Sequence, residues 1–99
     1  MAFALTDKVA RGKDVVSRQM DEAGNSVLLH LRSGYVYTCG EVGTLIWEAL
    51  KKPSTVGDLL KKIFEEFEVE EDTALGDLQR FLKDLAAERL VTVNDKNPA

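Results

Sequence analysis

The chain has one cysteine, Cys39, and one histidine, His30, in 99 residues. A single cysteine excludes an intrachain disulfide. One Cys and one His at different places in the pattern do not supply the ligand set of a closed zinc site. No apolar run approaches the roughly 20 residues that cross a bilayer, so no membrane contact is expected. The opening stretch, "MAFALTDKVARGKD", lacks a basic segment followed by a long apolar one. No signal peptide is therefore expected, and the expected location is the cytoplasm. A basic excess is also missing: 13 Lys and Arg stand against 17 Asp and Glu, a net charge of −4. Nucleic-acid readers draw much of their affinity from neutralising phosphates, so this balance argues against a nucleic-acid partner. There is no internal repeat and no low-complexity segment.

What is present suits one small globular domain: 44% of residues are hydrophobic and 30% charged, enough for a modest core. Residues 1–13 have no clear period and read as an N-terminal arm, with some packing through Phe3 and Leu5. "DVVSRQM" (14–20) is β-prone, "DEAGN" (21–25) is rich in turn formers, and "VLLHLR" (27–32) is a second strand. "SG" (33–34) signals a two-residue hairpin, and "YVYTC" (35–39) gives a third strand. In this second strand Val27, Leu29 and Leu31 share one face; Leu28, His30 and Arg32 share the other.

From residue 41 the period becomes helical. Val42, Leu45, Ile46 and Ala49 form one stripe, with Trp47 at its side. "KKPS" (51–54) breaks the pattern. Thr55, three residues before Asp58, reads as a helix cap. Val56, Leu59, Leu60, Ile63, Phe64 and Phe67 give a second helix. A third carries Leu75, Leu78, Phe81, Leu82 and Leu85. "LVTV" (90–93) is a short extended tail, and 94–99 should fray. The expected fold is α+β: a winged helix-turn-helix, with a three-stranded antiparallel sheet followed by three helices. The expected domain is 14–93.

Catalytic candidates are poor. His30 has no Ser, Cys or carboxylate visibly linked to it, and a general acid or base needs such a partner. Cys39 reads as a small buried apolar residue. The run "EEFEVEED" (65–72) lacks the oxygen ligands and mid-loop glycine of a calcium site and reads as a solvated helix end. "GKDVV" lacks the spacing of a phosphate loop. No enzyme activity, no catalytic residue, no metal and no cofactor is expected. The third strand is more informative. In a meander it pairs on one side only, and its free edge is open to β-augmentation by a peptide.

The ordered set "SGYVYTCGEVGTLIWEAL", "PSTVGDLL" and "FEVEEDTALGDLQRFLKDLAAERLV" resembles the PqqD-like family of RiPP recognition elements. The pattern is carried by Tyr35 and Tyr37, Gly43, Ile46 and Trp47, Thr55 and Val56, Phe67 and Val69, Asp77, and Leu90 and Val91. It covers roughly residues 14–93. Two departures stand out: Gly40 replaces the usual Asn or Asp cap, and Cys39 replaces an aliphatic residue. "KKPS" stands where the pyrroloquinoline quinone members carry Cys-Asp-Gly. The chain looks closer to the stand-alone recognition proteins of lasso-peptide pathways.

The resemblance implies a leader-peptide-binding protein without catalysis, a precursor peptide chaperone. It implies as partners the precursor leader peptide, with a leader peptidase and cyclase or a radical SAM enzyme. The leader would add to Tyr35, Val36, Tyr37 and Thr38 and lie against the third helix. There Leu78, Phe81 and Leu85 are assigned to the core, and Leu75, Gln79, Leu82, Lys83 and Ala86 to the peptide. Arg80 and Lys83 would meet acids of the peptide at the rim. Two alternatives remain at this point: a PqqD-type partner of a radical SAM enzyme, and a winged-helix regulator that reads DNA through its third helix. Against the second, Arg80, Lys83 and Arg89 are balanced by Asp77, Asp84 and Glu88.

Overall fold

The N-terminal segment is the part of the chain that departs most from its expected role. In the computed structural model, which describes residues 3–94, Lys8–Arg11 forms strand β1. It is the central strand of a sheet ordered β5-β1-β6, with β5 at Ser54–Thr55 and β6 at Val91–Val93. Both pairings are antiparallel. Val9 is wholly buried there, as are Leu90 and Val91. The expected arm is therefore part of the folded unit, and the expected tail "LVTV" is its sheet partner. Asn94 is also tied down: its N–H donates to Lys8 O at 2.6 Å, and its side-chain oxygen accepts from Lys8 N at 2.9 Å. The rest of the expected frayed tail, 95–99, lies outside the described residues.

The second sheet is the expected meander: β2 (Val15–Gln19), β3 (Ser26–His30) and β4 (Val36–Cys39), in that spatial order. Both pairings are antiparallel. Asp21 accepts from the Asn25 backbone and side-chain N–H groups. These bonds close the first hairpin and hold the Asp21 carboxyl below its usual range, the Asn25 side-chain bond contributing most. The second hairpin differs from the two-residue turn expected at "SG". β3 ends at His30, and four residues, 31–34, form the loop. His30 N donates to Tyr35 O at 2.9 Å, and Gly34 N to His30 O at 2.8 Å. Leu31 and Arg32 therefore leave the strand, and the inward face of β3 is Ser26, Leu28 and His30.

Three helices follow: α1 (Glu41–Ala49), α2 (Val56–Glu66) and α3 (Glu71–Ala87). Thr55 caps α2 as expected, its hydroxyl accepting from Asp58 N at 3.1 Å. α1 starts at Gly40, which has no side-chain cap. In place of a cap, Thr44 one turn in shares a 2.7 Å hydroxyl contact with Ser26 of β3. α2, a short link and α3 make the helix-turn-helix, and β2-β3-β4 is the wing-like sheet. Trp47 is buried in the core, sealed by Arg11 of β1, whose guanidinium lies 4.4 Å from the ring centroid. The same guanidinium donates to Trp47 O at 2.7 Å, pinning the N-terminal strand to α1. Among the described residues, no helix is long and apolar enough to cross a membrane.

Candidate functional site

β4 pairs with β3 and, among the described residues, with nothing on its other side. The phase of that pairing decides what the free side offers. His30 and Tyr35 form a hydrogen-bonded pair, His30 N donating to Tyr35 O. Antiparallel pairs alternate between bonded and non-bonded. In the observed register, Leu28 with Tyr37 and Ser26 with Cys39 are then bonded pairs. The backbone groups of Val36 and Thr38 therefore point to the open edge. Two N–H donors and two C=O acceptors stand ready for an incoming strand.

The side chains alternate as well. Val36 and Thr38 are exposed on the outer face, while Tyr37 is half-buried and Cys39 buried on the inner one. The outer face continues an apolar row, because Val16 stands opposite Leu29 and Leu29 opposite Val36. On the inner face, the Tyr37 ring meets Phe81 of α3 edge-on, with ring centroids 6.0 Å apart. Phe81 is held from behind by Gly43 of α1. A Cβ on Gly43 would stand 2.9 Å from the Phe81 ring and 3.1 Å from Cys39 Cβ. Glycine at that position lets α1 approach the strand end and the helix together.

Electrostatics at this edge follow from burial. The Tyr37 hydroxyl is pushed above its ordinary range by partial burial first, and by the Asp84 charge second. Burial likewise pushes the Cys39 thiol up, against a smaller opposing effect of a hydrogen bond with Ser26. A thiol held neutral in this way is a packing group, not a nucleophile. Among the described residues, no cluster of acids, histidines or cysteines has metal-binding geometry.

The α3 wall differs from the expected one. Leu82 and Ala86, assigned from the sequence to the peptide, are 0% and 2% exposed and belong to the core with Ala74, Leu78 and Leu85. Phe81, assigned to the core, is only half-buried and faces β4. The buried stripe is rotated relative to the Leu78, Phe81, Leu85 reading because Leu82 and Ala86 extend it on the side away from Phe81. At about 100° per residue, Asp84 lies about 60° from Phe81, on the same flank. Leu75, Gln79 and Lys83 lie more than about 100° away, on the opposite flank. Gln79 is also occupied: its side chain bonds the Phe3 backbone at both ends. Arg80 pairs with Asp77 at 3.6 Å. Of the expected residues, the structure brings together Tyr35, Val36, Tyr37 and Thr38 and adds Phe81 and Asp84. The missed signal was small: one alanine, Ala86, at helical spacing from Leu82.

Comparison with known proteins fits this geometry. The family model described as coenzyme PQQ synthesis protein D (PqqD) matches residues 25–91. The fold is that of a winged helix-turn-helix module with an open sheet edge, and the chain belongs to the PqqD family. Among solved structures, it is similar to "TbiB1 in Complex with the TbiA(beta) Leader Peptide". The identity is 32%, the TM-score 0.73, and the match covers 83% of this chain and 93% of that one. It shares its fold with "Lasso peptide synthetase B1 complexed with the leader peptide", at 22% identity and a TM-score of 0.64, over 84% and 95% of the two chains. No curated protein matches.

Proposed function

We propose that this protein binds the leader segment of a ribosomally made precursor peptide and presents it to modifying enzymes. The carrying observation is the open edge of β4, with the Val36 and Thr38 backbone groups turned outward beside the Tyr37–Phe81 wall. A leader strand adding there gains main-chain hydrogen bonds, while its alternate side chains meet two different surfaces. One set lies against Tyr37, Phe81 and Asp84. The other extends the apolar row of Val16, Leu29 and Val36. The protein acts as a non-enzymatic binding partner, in the cytoplasm. Its similarity to TbiB1, solved with a leader peptide, supports leader binding; the motif resemblance to stand-alone lasso-pathway proteins favours a leader peptidase and a cyclase as the recipients.

A second reading draws on the description of the family model, coenzyme PQQ synthesis: delivery of a peptide to a radical SAM enzyme. The same edge serves both readings, and pull-down with the two enzyme types separates them. The binding mode itself is tested by titrating the cognate leader into isotopically labelled protein. Shifts at Val36, Tyr37, Thr38, Phe81 and Asp84 are expected. Shifts confined to Leu75, Gln79 and Lys83 would move the groove to the opposite flank of α3.

A further inference from the structure

A cleft of about 520 Å³ lies at the hairpin end of β4 and not along its edge. Lys13, Arg32 and Arg89 bring three positive charges to it, and Asp14 one negative charge. The only ion pair among these four groups is Arg32 with Asp14, at 3.6 Å and well exposed. Among the described residues, neither Lys13 nor Arg89 enters an ion pair. In a chain of net charge −4, this is a concentration of unneutralised cations.

His30 forms the buried part of the same lining, at 8% exposure. Its Nδ1 accepts from Arg32 N at 3.2 Å and Ser33 N at 3.4 Å. The hairpin loop thereby fixes the ring, and in the neutral imidazole the proton sits on Nε2. Among the described residues Nε2 has no hydrogen-bond partner. His30 lines the cleft, so this donor is free to meet an acceptor that enters it. The cleft therefore offers an oriented N–H below a rim of two guanidinium groups and an ammonium. Arg is suited to holding planar oxyanions through paired hydrogen bonds.

Arg89 and Asp14 add a further detail. Both have positive φ, 60° and 62°. Arg89 follows the last turn of α3, where Leu90 N reaches back to Leu85 O at 2.8 Å. Glycine is the residue that fits such a helix end. Arginine stands there at a conformational cost, and its side chain lines the cleft.

We propose that this cleft is a carboxylate site that takes an acidic side chain of the peptide added to β4. The inference rests on the peptide-binding reading above. The position supports it, since His30 is hydrogen-bonded through its backbone to Tyr35, the first residue of the candidate edge. An acid located there, beyond the paired segment, anchors one end of the peptide and sets its direction and register.

The test is selection of a random-sequence peptide display library on the full chain, repeated on Arg89→Gly and Lys13→Gln. Bound peptides from the wild-type selection carry Asp or Glu at a fixed offset from their apolar strand residues. Arg89→Gly weakens them roughly tenfold or more, as expected for a charged hydrogen-bonding partner. Its Tm holds or rises, because glycine relieves the positive φ, so lost binding is not lost folding. Lys13→Gln weakens binding less. Peptides that protect the Val36 and Thr38 amides, show no acidic position and bind Arg89→Gly equally well overturn the carboxylate site and leave the edge intact. Failure to select any peptide that protects those amides counts against the peptide-binding reading itself, and the cleft proposal falls with it.

Discussion

At the scale of single residues, burial decides which of the chemistry-bearing side chains are structural. Cys39 is 1% exposed, and its thiol is pushed up by burial. A thiol reagent at neutral pH should therefore modify it only as fast as the protein unfolds. Rapid modification of the folded protein would contradict the buried placement. Tyr37 gives a second residue-level outcome. Burial, and secondarily Asp84, raise its pKa above the tyrosine value in the unfolded chain. Its contribution to stability is complete below that unfolded value and is lost as pH rises through the folded one. Asp84→Asn should lower the alkaline pH at which Tyr37 ionises, read by the ultraviolet phenolate band against a Tyr37→Phe control. An unchanged titration would separate Asp84 from the β4 wall. His30 and Cys39 stood out in the sequence only because each is single. Their structural roles, one holding a loop and the other filling the core, depend on neighbours that composition does not show.

At the scale of elements, the phase of β4 makes two adjacent prolines behave differently. Val36→Pro removes an N–H from the open edge, so the fold should survive while peptide affinity drops. Tyr37→Pro removes the N–H bonded to β3 and should destabilise by about 2 kcal/mol or more, since it also strands an acceptor. Chemical denaturation compares the two; equal stability losses would refute the assigned phase. The start of α1 offers the opposite direction. Gly40 has no side-chain cap, and a Cβ there meets nothing within 4 Å. Gly40→Asn should add about 0.5 kcal/mol by accepting from the first helical N–H groups. Strands 2 and 3 of the meander, all three helices and the Thr55 cap were legible in the sequence because each rests on a local period or a local bond. The α3 wall was not. Which flank of a helix is buried depends on partners far along the chain, and Ala86, at the far side of the stripe, carries too little hydrophobic weight to reveal its rotation.

At the scale of the whole molecule, the chain closes on itself through β1. This strand joins the loop after α1 to the segment after α3, and Arg11 ties it to the face of Trp47. Gly12 continues the seal. Its N–H donates to Leu90 O at 2.8 Å, and a Cβ there would collide with the Arg89 carbonyl. Such non-local pairing leaves no short-range period, which is why residues 1–13 read as an arm. Val9→Ala should cost about 2 kcal/mol and lower Tm by roughly 10 °C; a detachable arm would show no change. With the N-terminal segment held on the far flank of α3 through Phe3 and Gln79, the β4 flank stays open for a peptide. Backbone amide exchange with and without the cognate leader tests that most directly. New protection is expected at Val36 and Thr38, while Tyr37 and Cys39, already bonded to β3, change little. Protection that appears elsewhere, with Val36 and Thr38 still exchanging freely, would contradict it.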